Sequence, residues 1–248
     1  MATNPDKVVV ITGAAGALGQ ALTTHFAASG ARAVIAADRD TSALKSLATS
    51  ISRHRQIDAV QVDVRDRSSM ETLVANATDR HGRIDVLINN AGILGESGRI
   101  HHQGDDAWQQ AFDVNLMGIV HGMSAVIPVM RAAGGGSIIN TASIAGMTAW
   151  THTGPYGASK AAAIHLSRIA ALEYGPDRIR VNCICPGQFT SDMLQNIPAD
   201  VLAETTKRHP LGQGRPEDLI GAFAYLAGDD SPWTTGAVLV IDGGYSLP

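Results

Sequence analysis

The chain has 248 residues, enough for one large α/β domain with a well-buried core. Its 45% apolar and 17% charged residues, with a formal net charge of −4, describe a globular protein and give no footing to a nucleic-acid or membrane surface. No apolar run approaches the roughly 18 residues that span a bilayer, and the opening "MATNPDK" has no basic-then-apolar signal pattern, so a cytoplasmic protein is expected.

In chain order, "KVVVIT" reads as a buried strand that runs into a glycine-rich turn and a helix from about Leu18. "RAVIAAD" follows, then a helix from Ser42, "DAVQVDV", a helix from Ser68 and "IDVLINNAG". The second half gives a helix around Asp106 to Met130, "GSIINTAS", a helix from about Pro155 to Glu173, "IRVNCICPG", a helix from Pro216 and "AVLVID". Near-continuous apolar strands separated by helices predict a doubly wound parallel sheet, the Rossmann fold, in a single domain. The irregular stretch with Pro198, Pro210 and a short helical pattern, about 188–213, is expected to be a substrate lid. Ligands of such a sheet sit outside the carboxyl ends of its strands, so the residues just after each strand are the ones to inspect.

After the first strand comes "TGAAGALG", with glycines at 13, 16 and 19. Backbone N–H groups at a helix N-terminus favour a pyrophosphate, which makes Gly13, Gly16, Leu18 and Gly19 candidate dinucleotide contacts, although packing alone could also ask for glycines. No Lys-Ser or Lys-Thr pair follows, so the turn is not a P-loop. Ala17 is expected where the helix begins, with Gly16 supplying the permissive backbone. Asp38 ends the second strand, where a carboxylate accepts hydrogen bonds from the adenosine ribose hydroxyls. It also repels a 2′-phosphate, which favours NAD over NADP. Arg39 pulls the other way, since an arginine there accommodates a 2′-phosphate; with no base inside the turn, Asp38 takes precedence.

Ser143 follows "GSIINTA", and "GPYGASK" places Tyr156 and Lys160 at i and i+4 on one helix face. A cation there is expected to favour the phenolate and lower the tyrosine pKa from its usual value of about 10. Cys183 and Cys185, spaced C-x-C on one face of a strand, read as buried free thiols rather than a zinc or redox pair. His101 and His102 look like a metal pair, but adjacent side chains point apart in regular structure, so a surface loop is expected and no metal site. Trp150, His152 and Thr153 lie between Ser143 and Tyr156 and are candidates for the substrate pocket. Glu96 reads as a solvated carboxylate.

Taken together and in order, "TGAAGALG", Asp38, Asp63 with Val64, "NNAG" at 89–92, Asn115, Ser143, "YGASK", "CPG" and "TGAVLVIDGG" resemble the short-chain dehydrogenase/reductase family, its branch of about 250 residues that binds NAD(P). The resemblance implies that Tyr156 is the general acid/base, that Lys160 lowers its pKa and holds the nicotinamide ribose, and that Ser143 positions the substrate oxygen. It further implies that Asn115 holds a water in a proton relay, that Asp63 and Val64 contact the adenine, and that Asn90 contacts the adenosine ribose. Phe189 would meet the carboxamide, and Ser191 stands where the family usually has Thr. At the turn, Ala17 occupies the family's middle glycine slot. The resulting spacing is like that of a longer branch, mostly sugar-nucleotide epimerases and dehydratases, whose additional C-terminal substrate domain is not expected here. The implied function is a secondary alcohol and ketone oxidoreductase using NAD. A non-catalytic dinucleotide-responsive regulator and an epimerase or dehydratase that keeps NAD bound remain as alternatives. The resemblance also implies a homotetramer built on the helices around 106–130 and 155–174 and the C-terminal strand. The substrate itself depends on the shape of 145–153 and the lid, which residue types do not fix.

Overall fold

Strand β1, Val8–Thr12, is buried along its whole length and sits in the middle of the molecule. In the computed structural model, which describes residues 6–51, 57–195 and 197–247, it pairs in parallel with β2 (Ala33–Asp38) on one side and β4 (Val86–Asn89) on the other. Beyond these lie β3 (Ile57–Gln61), then β5 (Gly136–Thr141), β6 (Ile179–Pro186) and β7 (Val238–Ile241), in the order β3-β2-β1-β4-β5-β6-β7. All pairs are parallel. The winding reverses between β1 and β4, so the crevice for a ligand opens there.

The unbroken apolar strands follow from burial on two faces. Val8 and Val10 point into one core with Met70, Ile119, Val126 and Ala163. Val9 and Ile11 point into the other with Leu22, Phe26, Leu219 and Phe223. Successive strand residues alternate faces, and each face here is covered by helices, so apolar residues dominate both register positions. The first layer holds α3 (Arg67–His81), α4 (Asp105–Phe112), α5 (Gly118–Ala132) and α6 (Gly154–Tyr174). The second holds α1 (Ala17–Ala28), α2 (Thr41–Ile51) and α8 (Pro216–Ala227). Three of the buried polar residues join in a chain, which leaves Asn89 Oδ1 without a partner. Asn89 Nδ2 donates to Asn140 Oδ1 at 2.9 Å, and Asn140 Nδ2 donates to Ser167 Oγ at 2.9 Å, tying β4, β5 and α6 into one register.

Two departures from the sequence expectation have local causes. The strand expected over "DAVQVDV" stops at Gln61, because Asp63 turns the chain: its carbonyl accepts from Asp66 N–H and its carboxylate grips Arg65. The helix expected around 106–130 runs from 105 to 132 but carries a π turn, Asp113–Met117, in its middle. By length and composition this continuous helix could cross a bilayer; here Ala111, Asn115, Met123 and Val126 are buried in the fold. The expected lid contains a 3-10 turn, Asp192–Leu194, and a true helix, α7 (Ala199–Lys207), with no buried residue.

Candidate active site

The glycine turn divides its three glycines between two tasks. Gly13 has φ +67°, and a Cβ there would fall 2.7 Å from Ala91 Cα. A Cβ at Gly19 would collide with the Gly13 carbonyl oxygen, so that glycine lets α1 lie against the strand. Gly16 differs from both, and the expectation of a permissive backbone there is corrected. With φ −73° and ψ 164° it is ordinary extended chain, and a Cβ would meet only Gly13 O, at 3.6 Å. The special conformation belongs to Gly13, because that is where β1 must turn beneath β4. Gly16 is therefore a glycine the fold does not require, at the N-cap of α1, which begins at Ala17 with no capping side chain and no acidic residue in its first turn. The unpaired N–H groups of Ala17, Leu18 and Gly19 and a bare Gly16 fit a pyrophosphate approaching the backbone closely.

Asp38 closes this cradle. Its Oδ2 accepts Ala15 N–H at 2.9 Å and its Oδ1 accepts Asp40 N–H at 3.1 Å, so the carboxylate is aimed and the turn is braced together. Asn90 braces the other side, donating Nδ2 to the carbonyls of Thr12 and Gly13, both at 3.2 Å. Asp63 and Val64 lie on the turn after β3. The Asp63 carboxylate is paired with Arg65, whose hydrogen bonds hold it below the usual carboxylate range. Val64 packs against Gly118, and its carbonyl accepts from His121 Nδ1 at 2.9 Å.

Across the crevice stand Ser143, Tyr156 and Lys160, all buried, at the ends of β5 and α6. Ser143 caps a 3-10 turn, its Oγ accepting Ala145 N–H at 3.1 Å. Lys160 Nζ donates to the Thr141 carbonyl at 2.8 Å and lies 5.9 Å from the centre of the Tyr156 ring. Asn115 sits in the π turn. Its Oδ1 accepts Ile93 N–H at 2.9 Å, and its Nδ2 donates to Ile93 O and Ser159 Oγ, both at 3.0 Å. A π turn shifts the helix by one residue, which is how Asn115 reaches both the segment after β4 and α6. A Cβ on Gly92 would fall 3.2 Å from both Asn115 Oδ1 and Lys160 Nζ, so that glycine keeps the passage between them open.

A family model described as enoyl-(acyl carrier protein) reductase matches residues 13–246. The chain is 35% identical over 242 residues to the cis-4-hydroxycyclohexanecarboxylate dehydrogenase of Sinomonas cyclohexanicum, spanning 97% of each. It is 34% identical to the meso-2,3-butanediol dehydrogenase of Serratia marcescens, over 96% of this chain and 94% of the relative. The crystal structure of a short-chain type dehydrogenase/reductase from Mycobacterium marinum matches with a TM-score of 0.94 at 33% identity, covering 99% of this chain and 98% of that one. This chain belongs to the short-chain dehydrogenase/reductase family. It is an oxidoreductase that interconverts alcohols and ketones with a nicotinamide dinucleotide.

The electrostatics of this dehydrogenase/reductase correct one expectation. Burial raises the Tyr156 pKa, and the facing Ser143 hydroxyl opposes that shift by favouring the phenolate. Burial also lowers the Lys160 pKa, to about 8, with Nζ held on the Thr141 carbonyl. A second correction concerns His101 and His102. A 3-10 turn, Ile100–His102, brings their rings to 4.0 Å, so they do not point apart. They stay exposed, and among the described residues no group of three metal-binding side chains exists.

The remaining candidates scatter. Phe189 lies against the second core and forms a bridge with Gly214, next to Ser191. Trp150 packs edge-on against Tyr245 at 5.7 Å, Thr153 donates to the Trp150 carbonyl, and His152 is exposed with φ +67°. Glu96 is exposed, and its carbonyl accepts from Gln103. Cys183 and Cys185 are buried free thiols under the site, and contact with Cys183 together with burial pushes Cys185 up. Sequence reasoning missed Ser159, whose Oγ donates to Tyr156 O at 2.8 Å while accepting from Asn115. It stood inside "YGASK" but carried no signal of its own. His209 and Tyr245, with ring centres 4.7 Å apart, were missed as well, because nothing along the chain brings them together.

Proposed function

We propose that the protein is an NAD-dependent dehydrogenase/reductase of secondary alcohols and ketones, with Tyr156 as its general acid/base. The observation that carries the reading is the burial of the Tyr156 phenol, the Ser143 hydroxyl and the Lys160 ammonium together across the crevice from an empty-handed helix N-terminus. When bound, the dinucleotide supplies or accepts the hydride. In the oxidising direction Ser143 holds the substrate oxygen, and the Tyr156 phenolate takes its proton. Lys160 is placed to hold the nicotinamide ribose and, through the π turn at Asn115, to pass the proton outward. In reduction the phenol, kept protonated by burial, returns the proton to the oxygen.

Asp38 supports NAD over NADP. Both of its oxygens are fixed by backbone N–H groups, so the charge cannot swing away from a 2′-phosphate. Arg39 is exposed on the following residue. The named relatives support a secondary alcohol on a small or alicyclic carbon frame. The two reduced thiols suit a cytoplasmic setting.

The test incubates purified protein with NAD+ or NADP+ and a panel of secondary alcohols, including cyclohexanols and butanediol, and reads the reduced-nicotinamide absorbance. Turnover with NAD+ is expected, and Tyr156→Phe should lose about 100- to 10,000-fold in kcat while NAD still raises its melting temperature. Unchanged turnover in Tyr156→Phe sinks the mechanism. Binding without turnover by the wild type would replace it with a dinucleotide-responsive regulator, and stoichiometric co-purifying cofactor with an epimerase or dehydratase.

A further inference from the structure

His209 is 3% exposed and lies just beyond the lid helix, and both of its ring nitrogens are engaged. Nδ1 is 2.8 Å from the Thr205 carbonyl, which can only accept a hydrogen bond. Nε2 is 3.1 Å from the backbone nitrogen of Gln188, which can only donate one. A single form satisfies both partners: the neutral imidazole with its proton on Nδ1. We propose that His209 is a positioning residue, a neutral imidazole latch that fastens the lid to the end of β6 and thereby sets the segment Gln188 to Ser191 for dinucleotide binding.

The surroundings are built for this contact. A Cβ on Gly187 would fall 2.7 Å from Asp242 Cα and 3.0 Å from His209 Nε2, so the glycine admits both the ring and the turn after β7. The Gln188 side chain repeats the link from its own side, donating Nε2 to Thr206 Oγ1 at 2.7 Å. On its far flank the segment is held by Gly214, whose N–H donates to Gln188 O and whose carbonyl accepts Thr190 N–H, both at 3.0 Å. The latch therefore controls one of two supports under Phe189. Charging the imidazole would set N–H against N–H in a buried place and release that support. The charged and titratable groups around the ring are Arg208 beside it, Tyr245 from the turn after β7, over which the Arg208 guanidinium sits at 4.4 Å, and Asp242 from the same turn. Asp242 is itself occupied by the N–H groups of Gly244 and Ser246. No titratable side chain comes from Gly187 or Gln188.

The inference rests on the reading of Phe189 and Ser191 as dinucleotide contacts, and the experiment separates the two. Full-length protein is followed from about pH 8 down to about pH 5. Three readouts are taken: long-range ¹H–¹⁵N spectra of the imidazoles, amide exchange over 187–213, and NAD affinity by tryptophan fluorescence. The wild type should show the Nδ1–H tautomer of His209 at the upper pH. On acidification, exchange of the segment should accelerate and NAD affinity should fall about tenfold. His209→Gln, whose side-chain carbonyl accepts the Gln188 N–H without titrating, should keep that affinity nearly flat. The Nε2–H tautomer, unchanged exchange on acidification, or the same acid weakening in His209→Gln overturns the latch. Failure of the wild type to bind NAD at the upper pH removes the dinucleotide reading instead, and the tautomer and exchange data still decide the latch, even if the variant does not fold.

Discussion

At the scale of the residue, Lys160 carries the clearest cost of function. It is 3% exposed, and burial lowers its pKa from 10.5 to about 8. Between those values the unfolded chain binds a proton that the folded chain does not, so folding stability rises with pH across that window. Below it, the folded protein bears the full penalty of an ammonium held among Thr141, Tyr156 and the two thiols, about 3 kcal/mol. Lys160→Met fills similar volume and titrates nowhere. It should abolish turnover yet be more stable than the wild type near neutral pH by about 2–3 kcal/mol, with the gap closing as pH rises through the window. Urea unfolding of both proteins at neutral and alkaline pH measures this. A pH-independent difference would show that the Lys160 charge is not what strains the fold. The lysine also shows the limit of the i, i+4 argument. The spacing correctly places Tyr156 and Lys160 on one face, but the direction of the tyrosine shift follows from burial, which spacing does not report.

At the scale of the element, the turn between β1 and α1 separates what folding needs from what a ligand needs. Gly19→Ala drives a methyl into the Gly13 carbonyl and should cost about 1–3 kcal/mol. Gly16→Ala meets nothing closer than 3.6 Å from its Cβ in a conformation open to any residue, so its stability should stay within about 0.5 kcal/mol of the wild type. Its NAD affinity should nevertheless drop more than about tenfold. Thermal melts with and without NAD distinguish the two, and a Gly16→Ala protein that binds NAD as tightly as the wild type would mean that no phosphate approaches there. The central strands were legible because they are buried on both faces and write apolar runs into the sequence, as "VVVIT" does. The π turn was not, since a one-residue shift inside an apolar helix leaves the pattern intact while moving Asn115 toward Ile93. The early end of β3 was hidden too, because "VDV" alternates like a strand while Asp63 turns the backbone. Contacts between segments far apart in the chain, such as His209 with Gln188, leave no periodic trace at all.

At the scale of the whole molecule, part of the exposed apolar surface lies on α6 and around β7. Leu172 on the outer side of α6 is 83% exposed, with Ile169 one turn away. Trp233, 98% exposed, follows α8, whose Tyr225 is also open, and beside them β7 is an edge strand left half-buried along its length. An unpaired edge and large exposed aromatics are a liability for a lone chain, which proteins meet by covering them. Were each of these patches joined to its own copy by a two-fold axis, a tetramer with dihedral symmetry would close. Each contact would also press on an element of the site, since α6 carries Tyr156 and Lys160 while β7 leads into the turn that holds Asp242 and Tyr245 beside His209. Light scattering tests the homotetramer that the family resemblance implies, for which the mass should be four times the 25.9 kDa chain mass. Trp233→Glu, which puts a charge at the centre of one face only, should halve that assembly and loosen the lid, while Leu172→Glu should halve it through α6. A single-chain mass for the wild type would remove the tetramer, and with it the coupling of the two faces to the catalytic helix and the lid.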